Sequence, residues 1–79
     1  MPILRLFAGA REAAGTGRVT MAGATVGEVL EEAQERFGER FAAVLATSRV
    51  WVNGEPAGND HALSERDEVA VLPPVSGGT

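Results

Sequence analysis

Residues 25–37, with the sequence TVGEVLEEAQERF, are the stretch that decides the fold. Thr25 is followed three residues later by Glu28, which is the spacing of a capping box. We expect the Thr25 hydroxyl to accept a hydrogen bond from the amide of Glu28, and the Glu28 carboxylate to accept one from the amide of Thr25. The apolar residues of the stretch recur at helical spacing and are Val26, Val29, Leu30, Ala33 and Phe37. With Gly38 as a stop signal, the stretch is predicted to form an amphipathic helix that covers a core.

Two strands are predicted before this helix. Residues 3–8 are apolar at their outer positions and too short for a helix, so we expect a buried strand there. Residues 9–17 contain three glycines and two charged residues and are expected to form a loop. Residues 18–21 are typical of a second strand. Because the two strands are adjacent in sequence, we expect them to pair as an antiparallel hairpin with a long loop.

A short helix and two strands are predicted after it. Residues 39–46 carry apolar side chains at helical spacing, which indicates a short second helix. Residues 49–52 are rich in β-forming types, and Asn53-Gly54 follows directly as a strong signal for a two-residue turn. Residues 69–72, with the sequence VAVL, are predicted to be the last strand.

The order of these elements indicates one α+β domain. Strands as apolar as the first and the last tend to be central in a sheet, so we expect these two to lie side by side. The second strand then joins the far side of the first, and the main helix covers one face. This arrangement is the β-grasp, the ubiquitin-like architecture, with a mixed sheet and one helical layer. We expect residues 1–72 to form the β-grasp domain and residues 73–79 to form a flexible tail that contains two glycines.

Composition excludes several classes of function. The chain has 79 residues, a formal net charge of −4 and no cysteine, which argues against nucleic-acid binding and excludes disulfides and thiolate metal sites. No apolar run approaches the roughly 20 residues of a membrane span, and no signal peptide is visible. We therefore expect a cytoplasmic protein without membrane partners. His61 is the single histidine, and Asp60, Asp67 and Glu68 lack the ligand pattern of a calcium loop, so neither a metal nor a cofactor is expected.

The C-terminal tail is the segment that could carry chemistry. Pro73-Pro74 stiffens the exit from the last strand, and Val75 is the single bulky residue beyond it. Gly77 and Gly78 have no Cβ atom, so a narrow tunnel could pass them. The six residues 73–78 would reach roughly 19 Å in an extended form, which is enough to deliver the chain end into another protein's active site. The alternative from composition alone is a disordered terminus without function.

The chain resembles a known family along nearly its whole length. The most specific pieces are DEVA at residues 67–70 and PPVSGG at residues 73–78. Other matching pieces, in chain order, are Phe7-Ala8, Arg11-Glu12, Gly15-Thr16, Thr25-Val26, Val52-Asn53, Asp60-His61 and Leu63. With these pieces the sequence resembles the small subunit of molybdopterin synthase, which is the MoaD family of ubiquitin-like sulfur carriers. The thiamin-pathway carrier ThiS shares the fold and the two terminal glycines, but the Pro-Pro-Val segment is more similar to MoaD.

The resemblance implies a carrier that is consumed by another enzyme's reaction. In the family an E1-like adenylating enzyme activates the carboxylate of the terminal glycine, here Gly78, and a sulfur donor protein converts it into a thiocarboxylate. The molybdopterin synthase large subunit then receives the tail, whose matching residues here are Pro73, Pro74, Val75, Ser76 and Gly77. The resemblance also implies a hydrophobic docking face on the sheet, to which Phe7 and Leu72 correspond.

Thr79 departs from the family pattern, because it places Gly78 inside a peptide bond. It marks a precursor whose last residue a protease removes, a residue foreign to the natural chain, or a tolerated addition. Other acceptors also stay open. The sulfur could serve thiamin or cysteine biosynthesis, the chain could be a ubiquitin-like modifier conjugated through Gly78, or it could be a binding module whose tail has no chemistry.

Overall fold

The protein folds around a five-stranded mixed sheet. The computed structural model describes residues 1–74. The strands are β1 (Ile3–Leu6), β2 (Arg18–Thr20), β3 (Arg49–Val52), β4 (Glu55–Pro56) and β5 (Glu68–Leu72). Their spatial order is β2-β1-β5-β3-β4, with β1 and β5 parallel and the other pairs antiparallel. The expectation that the first and last strands lie side by side, with the second strand outside the first, is confirmed.

Three helices cover one face of this sheet. They are α1 (Ala8–Ala14), α2 (Val26–Phe37) and α3 (Glu39–Leu45). The core lies between the helices and alternate residues of the central strands, and it consists of Leu4, Leu6, Ala10, Met21, Val26, Val29, Leu30, Ala33, Phe41, Val52, Val69 and Val71. This is the β-grasp architecture, with α2 as its main helix.

One of the two hydrogen bonds predicted for the capping box of α2 is confirmed. The Thr25 hydroxyl accepts from the amide of Glu28 at 3.2 Å, as expected. The Glu28 carboxylate instead accepts from the amide of Ala24, at 2.8 Å. This change of partner comes from the tertiary fold, because Thr25 forms an isolated antiparallel bridge with Ala62 that directs the backbone before the helix.

The predicted loop over residues 9–17 is wrong for most of its length, because α1 occupies residues 8–14. Its apolar residues are alanines, which form helices well but give no pattern of large side chains. Ala10 is fully buried against the core. Gly15 ends the helix in the left-handed conformation, with φ of 78°, and its amide donates to the carbonyl of Arg11 at 2.9 Å. The glycine that suggested a loop is therefore the C-cap of a helix.

The remaining boundaries differ by one or two residues. The predicted first strand over residues 3–8 ends at Leu6, because residue 8 already begins α1. The strand predicted over residues 18–21 ends at Thr20, and the following Met21 is fully buried. The Asn53-Gly54 turn is confirmed between β3 and β4, with φ of 51° and 86°. Over the described residues no helix is long and apolar enough to cross a membrane.

Candidate functional site

The tail leaves the sheet from the end of its central strand. β5 lies between β1 and β3, and its last residue, Leu72, pairs with Arg49. Pro73, which follows, is half-buried, and Pro74 is exposed. Val75, Ser76, Gly77, Gly78 and Thr79 were predicted to form the working end of the tail, and they lie outside the described residues. The structure therefore places the base of the tail on the most constrained strand of the fold.

Phe7 and Leu72 lie on the sheet face that the helices leave open. Side chains alternate along a strand, and Leu6 and Val71, which are paired between β1 and β5, point into the core. Phe7 keeps an extended backbone, with φ of −124° and ψ of 154°, so it continues this alternation beyond β1. Phe7 and Leu72 consequently project to the same side of the sheet, at the strand ends where the tail leaves. The structure brings together the two residues predicted for docking, and their docking role stays a prediction.

The exposure of these two residues differs. Phe7 leaves 38% of its surface accessible and is one of the exposed large hydrophobic residues of the described chain. Leu72 is half-buried. Both residues therefore have accessible surface for a partner to cover, with Phe7 as the more prominent of the two.

Arg5 holds a charged group over the Phe7 ring. Its guanidinium carbon lies 5.6 Å from the ring centroid, within the range of a cation–π interaction. The same guanidinium lies 3.6 Å from a Glu68 carboxylate oxygen, and both side chains are about two-fifths exposed, so this ion pair is weak. The sequence reasoning did not single out Arg5. The signal available was its position two residues before Phe7 on the same strand, which puts both side chains on one face.

Trp51 extends this open face toward the sheet edge. Trp51 pairs with Ala70 of β5 and with Pro56 of β4, and the core-facing residues of these strands are their neighbours Val52 and Val69. Trp51 itself is half-buried and lies outside the core cluster. The open face thus carries an apolar band whose members are Phe7, Leu72, Ala70, Trp51 and Pro56.

A network around Asp67 fixes the start of β5 to the β3–β4 turn. One Asp67 carboxylate oxygen accepts from the amide of Ser64 at 2.8 Å, and the other accepts from the Asn53 side-chain amide at 3.0 Å. The Asn53 side-chain oxygen in turn accepts from the amide of Glu68 at 3.0 Å. These bonds, first the one from the Ser64 amide and then the one from Asn53, hold the pKa of Asp67 below 3.8, its ordinary value. The network is a structural support for the sheet end opposite the tail.

His61 and its neighbours act as structural residues of a loop. The His61 carbonyl accepts from the amide of Val26 at 3.0 Å, and the Asn59 carbonyl accepts from the amide of Gly27 at 2.8 Å. These carbonyls satisfy two amides in the first turn of α2, which has no helical partners for them. Among residues 1–74, no group of three acidic or histidine side chains could hold a metal ion.

The fold and the position of the tail define a class, that of ubiquitin-like β-grasp proteins. Comparison with protein families identifies the member of that class: the ThiS family model matches residues 4–78, so the chain belongs to the ThiS family. The resemblance to ubiquitin-like sulfur carriers of the MoaD and ThiS type is confirmed. Comparison with curated proteins gives no significant match.

Solved structures support the same assignment. The chain is similar to small archaeal modifier protein 1 of Methanosarcina acetivorans, with 28% identity, a TM-score of 0.87, and coverage of 98% of this chain and 95% of that one. Small archaeal modifier protein 1 of Haloferax volcanii has 33% identity and a TM-score of 0.77, with 98% of both chains covered. A putative molybdopterin converting factor subunit 1 of Pyrococcus furiosus has 29% identity and a TM-score of 0.78, with 94% of this chain and 97% of that one covered. The chain thus shares its fold with ubiquitin-like carriers and modifiers alike.

Proposed function

We propose that this protein is a sulfur carrier and the small subunit of a molybdopterin synthase. Its Gly78 carboxylate, once Thr79 has been removed, is adenylated and then converted into a thiocarboxylate. The sulfur is donated to a molybdopterin precursor in the active site of the synthase large subunit. The carrier contributes the group that is transferred, and its partners supply the catalysis.

The observation that carries this proposal is the extent of the family match. It runs to residue 78 and so includes Gly77 and Gly78, the two residues on which the chemistry depends. The similarity to the putative molybdopterin converting factor subunit of Pyrococcus furiosus, at 29% identity, favours the molybdopterin pathway. The base of the tail on the central strand β5 supports it further, because a fixed base limits where the chain end can be delivered.

The proposed chemistry balances without a cofactor on the carrier. The carboxylate attacks the α-phosphate of ATP, which forms an acyl adenylate and releases pyrophosphate. The terminal sulfur of a persulfide on the donor protein then attacks the carbonyl carbon and AMP leaves, which forms an acyl disulfide. A thiol next attacks the donor protein's own sulfur, which releases the chain as a thiocarboxylate and leaves a disulfide between the donor and that thiol. The first step is needed because a carboxylate is a poor electrophile, whereas the mixed anhydride has a good leaving group.

Gly78→Ala tests the reacting position. The added methyl group must enter a site shaped for glycine, and each 1.4 kcal/mol of steric exclusion reduces the rate about tenfold. In a chain that ends at residue 78, we expect adenylation, measured by ATP–pyrophosphate exchange with the activating enzyme, to fall by about 100-fold or more. Gly58→Ala is the matched control, because Gly58 lies on an exposed loop outside the tail, where an added Cβ meets Asp60 at an ordinary 3.5 Å. Adenylation of Gly78→Ala at the control rate would contradict the proposal.

The role of Thr79 is tested by comparing two chain lengths. In the 79-residue chain the Gly78 carbonyl is part of an amide and has no free oxygen to accept AMP. We expect a chain that ends at Gly78 to gain the mass of one sulfur in exchange for one oxygen when it is given activating enzyme, ATP and a sulfur donor. The 79-residue chain should gain it only after a protease has removed Thr79. Intact mass spectrometry reads both outcomes, and a thiocarboxylate on Thr79 itself, formed at the same rate, refutes the precursor interpretation.

A second candidate function is protein modification through Gly78. The observation that favours it is the similarity to small archaeal modifier protein 1, at 28% and 33% identity. Both functions pass through the same acyl adenylate. They differ in the nucleophile that then attacks it, which belongs to a sulfur donor in one case and is a lysine of another protein in the other. Intact mass and peptide analysis of the protein from its native cell separates them, because a modifier is found joined to other proteins and a carrier ends in a thiocarboxylate.

Sulfur delivery to thiamin or cysteine biosynthesis differs from the main proposal only in the acceptor. The test is reconstitution of the sulfurated carrier with a molybdopterin synthase large subunit and the pterin precursor. Formation of the dithiolene product supports the molybdopterin pathway. Sulfurated carrier that transfers nothing to this acceptor contradicts it.

A further inference from the structure

An apolar groove lies beside the base of the tail, on the side of the sheet that the helices cover. Its lining residues come from the start of α1, from α3 and the turn after it, and from the segment after β5: Ala8, Gly9, Ala43, Val44, Thr47, Pro73 and Pro74. We call it the exit groove. None of these residues is charged, and the open space in the groove is about 610 Å³. Its small side chains leave room for a side chain from elsewhere.

Ala8, at the rim of the exit groove, has a strained backbone. Its φ is 49°, in the left-handed region that L-residues with a Cβ avoid. Among residues 1–74, the other non-glycine residue with a positive φ is Asn53, and asparagine tolerates this conformation within a tight turn. Glycine would adopt it without a steric penalty.

The methyl group of Ala8 has no role in the core that would explain its presence. The residue is exposed, and it belongs neither to the buried cluster nor to the residues packed against it. The chain therefore keeps an exposed methyl group at a position where the backbone favours glycine. Packing among residues 1–74 does not explain this combination.

We propose that the exit groove, with the Ala8 methyl group at its rim, receives an apolar side chain of the enzyme that adenylates the C-terminal end. The inference rests on the proposed function, and it assigns a second contact surface to the activation step. Phe7 precedes Ala8 in the chain and faces the open side of the sheet. The base of the tail is thus flanked by the Phe7–Leu72 surface on one side and by the exit groove on the other.

The length of the chain beyond the groove argues for a partner whose active site holds Gly78, and in the proposed sequence of steps the adenylating enzyme is the first such partner. Gly78 lies four residues after Pro74, and at no more than about 3.6 Å per residue it cannot be farther than about 14 Å from it. An active site that holds Gly78 therefore belongs to a protein whose surface reaches the base of the tail. Pro74 is itself part of the groove wall, so that protein lies over or next to the groove.

Two variants test the groove: Ala43→Leu fills it, and Ala8→Gly removes a methyl group from its rim. Ala43→Leu fills it from an exposed helical position, and the change is neutral for helix formation. We expect the KM for the carrier in the adenylation assay to rise about tenfold or more, with kcat changed less than about twofold. Ala46→Leu is the matched control, because Ala46 is an exposed alanine three residues along that lines the cleft between α2 and α3 instead. It should keep the KM of the original chain.

Ala8→Gly distinguishes a contact between Ala8 and the enzyme from a purely structural role of Ala8. Removing the methyl group relieves the backbone, so the melting temperature should stay the same or rise. The same change removes a contact with the enzyme, so the KM should rise about threefold or more. A structural role predicts instead that stability and activation fall together.

The outcomes separate the groove from the proposed function. All variants are made in the chain that ends at Gly78, and absence of pyrophosphate exchange with that chain, unsubstituted, refutes the proposed function itself. Normal exchange, with the KM of Ala43→Leu equal to that of Ala46→Leu or lower, overturns the groove proposal. A concentration-dependent dimer in analytical ultracentrifugation that Ala43→Leu abolishes also overturns it, because the groove is then a contact between two copies of this chain.

Discussion

Phe7 lies where the tail leaves the sheet, and 38% of its surface is accessible. We expect Phe7→Ala to weaken the complex with the large-subunit partner by about 1–3 kcal/mol, as truncation of an interface anchor does. Its effect on the free energy of unfolding should stay below the roughly 3–5 kcal/mol that truncation of a buried Phe causes. Binding titrations and thermal melts of the same variant measure both quantities.

Phe41 offers the matched control for this prediction. It is fully buried and packs at 5.3 Å between ring centroids against Phe37, so Phe41→Ala should lose about 3–5 kcal/mol of stability. If Phe7→Ala destabilised the protein as much as Phe41→Ala and the folded fraction bound with unchanged affinity, Phe7 would be a packing residue and the docking prediction would be wrong.

Asp67 gives a stability prediction with a defined pH dependence. Its pKa is lowered in the folded state, so its ionised form contributes stability that is complete above 3.8, the ordinary value, and is lost as the pH falls below it toward the folded-state pKa. Asp67→Asn cannot accept from both Ser64 and Asn53 as the carboxylate does. We expect a lower melting temperature for Asp67→Asn at neutral pH, and a difference from the original chain that narrows below pH 3.8. A difference that is constant across this range would contradict the assignment.

At the scale of the element, α2 depends on its N-cap. The Thr25 hydroxyl satisfies the amide of Glu28, which has no partner within the helix. We expect Thr25→Ala to reduce the free energy of unfolding by about 1 kcal/mol, measured by urea unfolding. Thr47→Ala serves as the control, because the Thr47 hydroxyl donates to the carbonyl of Val44 in an exposed bond that water can replace. Equal losses for the two variants would mean that the cap does not stabilise α2.

The contrast between α2 and α1 shows which elements could be predicted from sequence. α2 combines a cap, a stripe of large apolar residues and a terminal glycine, and all three signals point to the same residues. α1 has alanines in place of large residues, so its buried side, which includes Ala10, produces no amphipathic pattern. Its existence follows from packing against α3 and the sheet, which local sequence does not show.

At the scale of the whole molecule, the sheet order followed from which strands are the most apolar. The candidate site was less accessible to sequence reasoning. Alternation along a strand places Phe7 and Leu72 on one face, and only the strand register adds Trp51 to it. The contact of Arg5 with the Phe7 ring depends on side-chain conformation, which the sequence pattern does not show. The exit groove was not predictable at all, because it depends on α1 and on the position of α3 beside Pro73.

The division between the folded body and the tail can be tested by a chain that ends at Pro74. Among residues 1–74, every residue of the buried core lies between Leu4 and Val71, so a chain that ends at Pro74 keeps all of them. We expect the shortened chain to unfold with a free energy within about 0.5 kcal/mol of the original, as for surface changes. It should accept no AMP, because it lacks the reacting carboxylate. A marked loss of stability would show that the tail is part of the folded body.

The shortened chain also separates docking from chemistry in the activation step. It keeps the exit groove, which is the surface that we propose the activating enzyme contacts. It should therefore inhibit adenylation of the chain that ends at Gly78, competitively with that chain and not with ATP. The same shortened chain carrying Ala43→Leu should inhibit about tenfold less well. Absence of inhibition by either form would mean that the activating enzyme recognises the tail alone, because the surfaces without the tail would then contribute no binding energy.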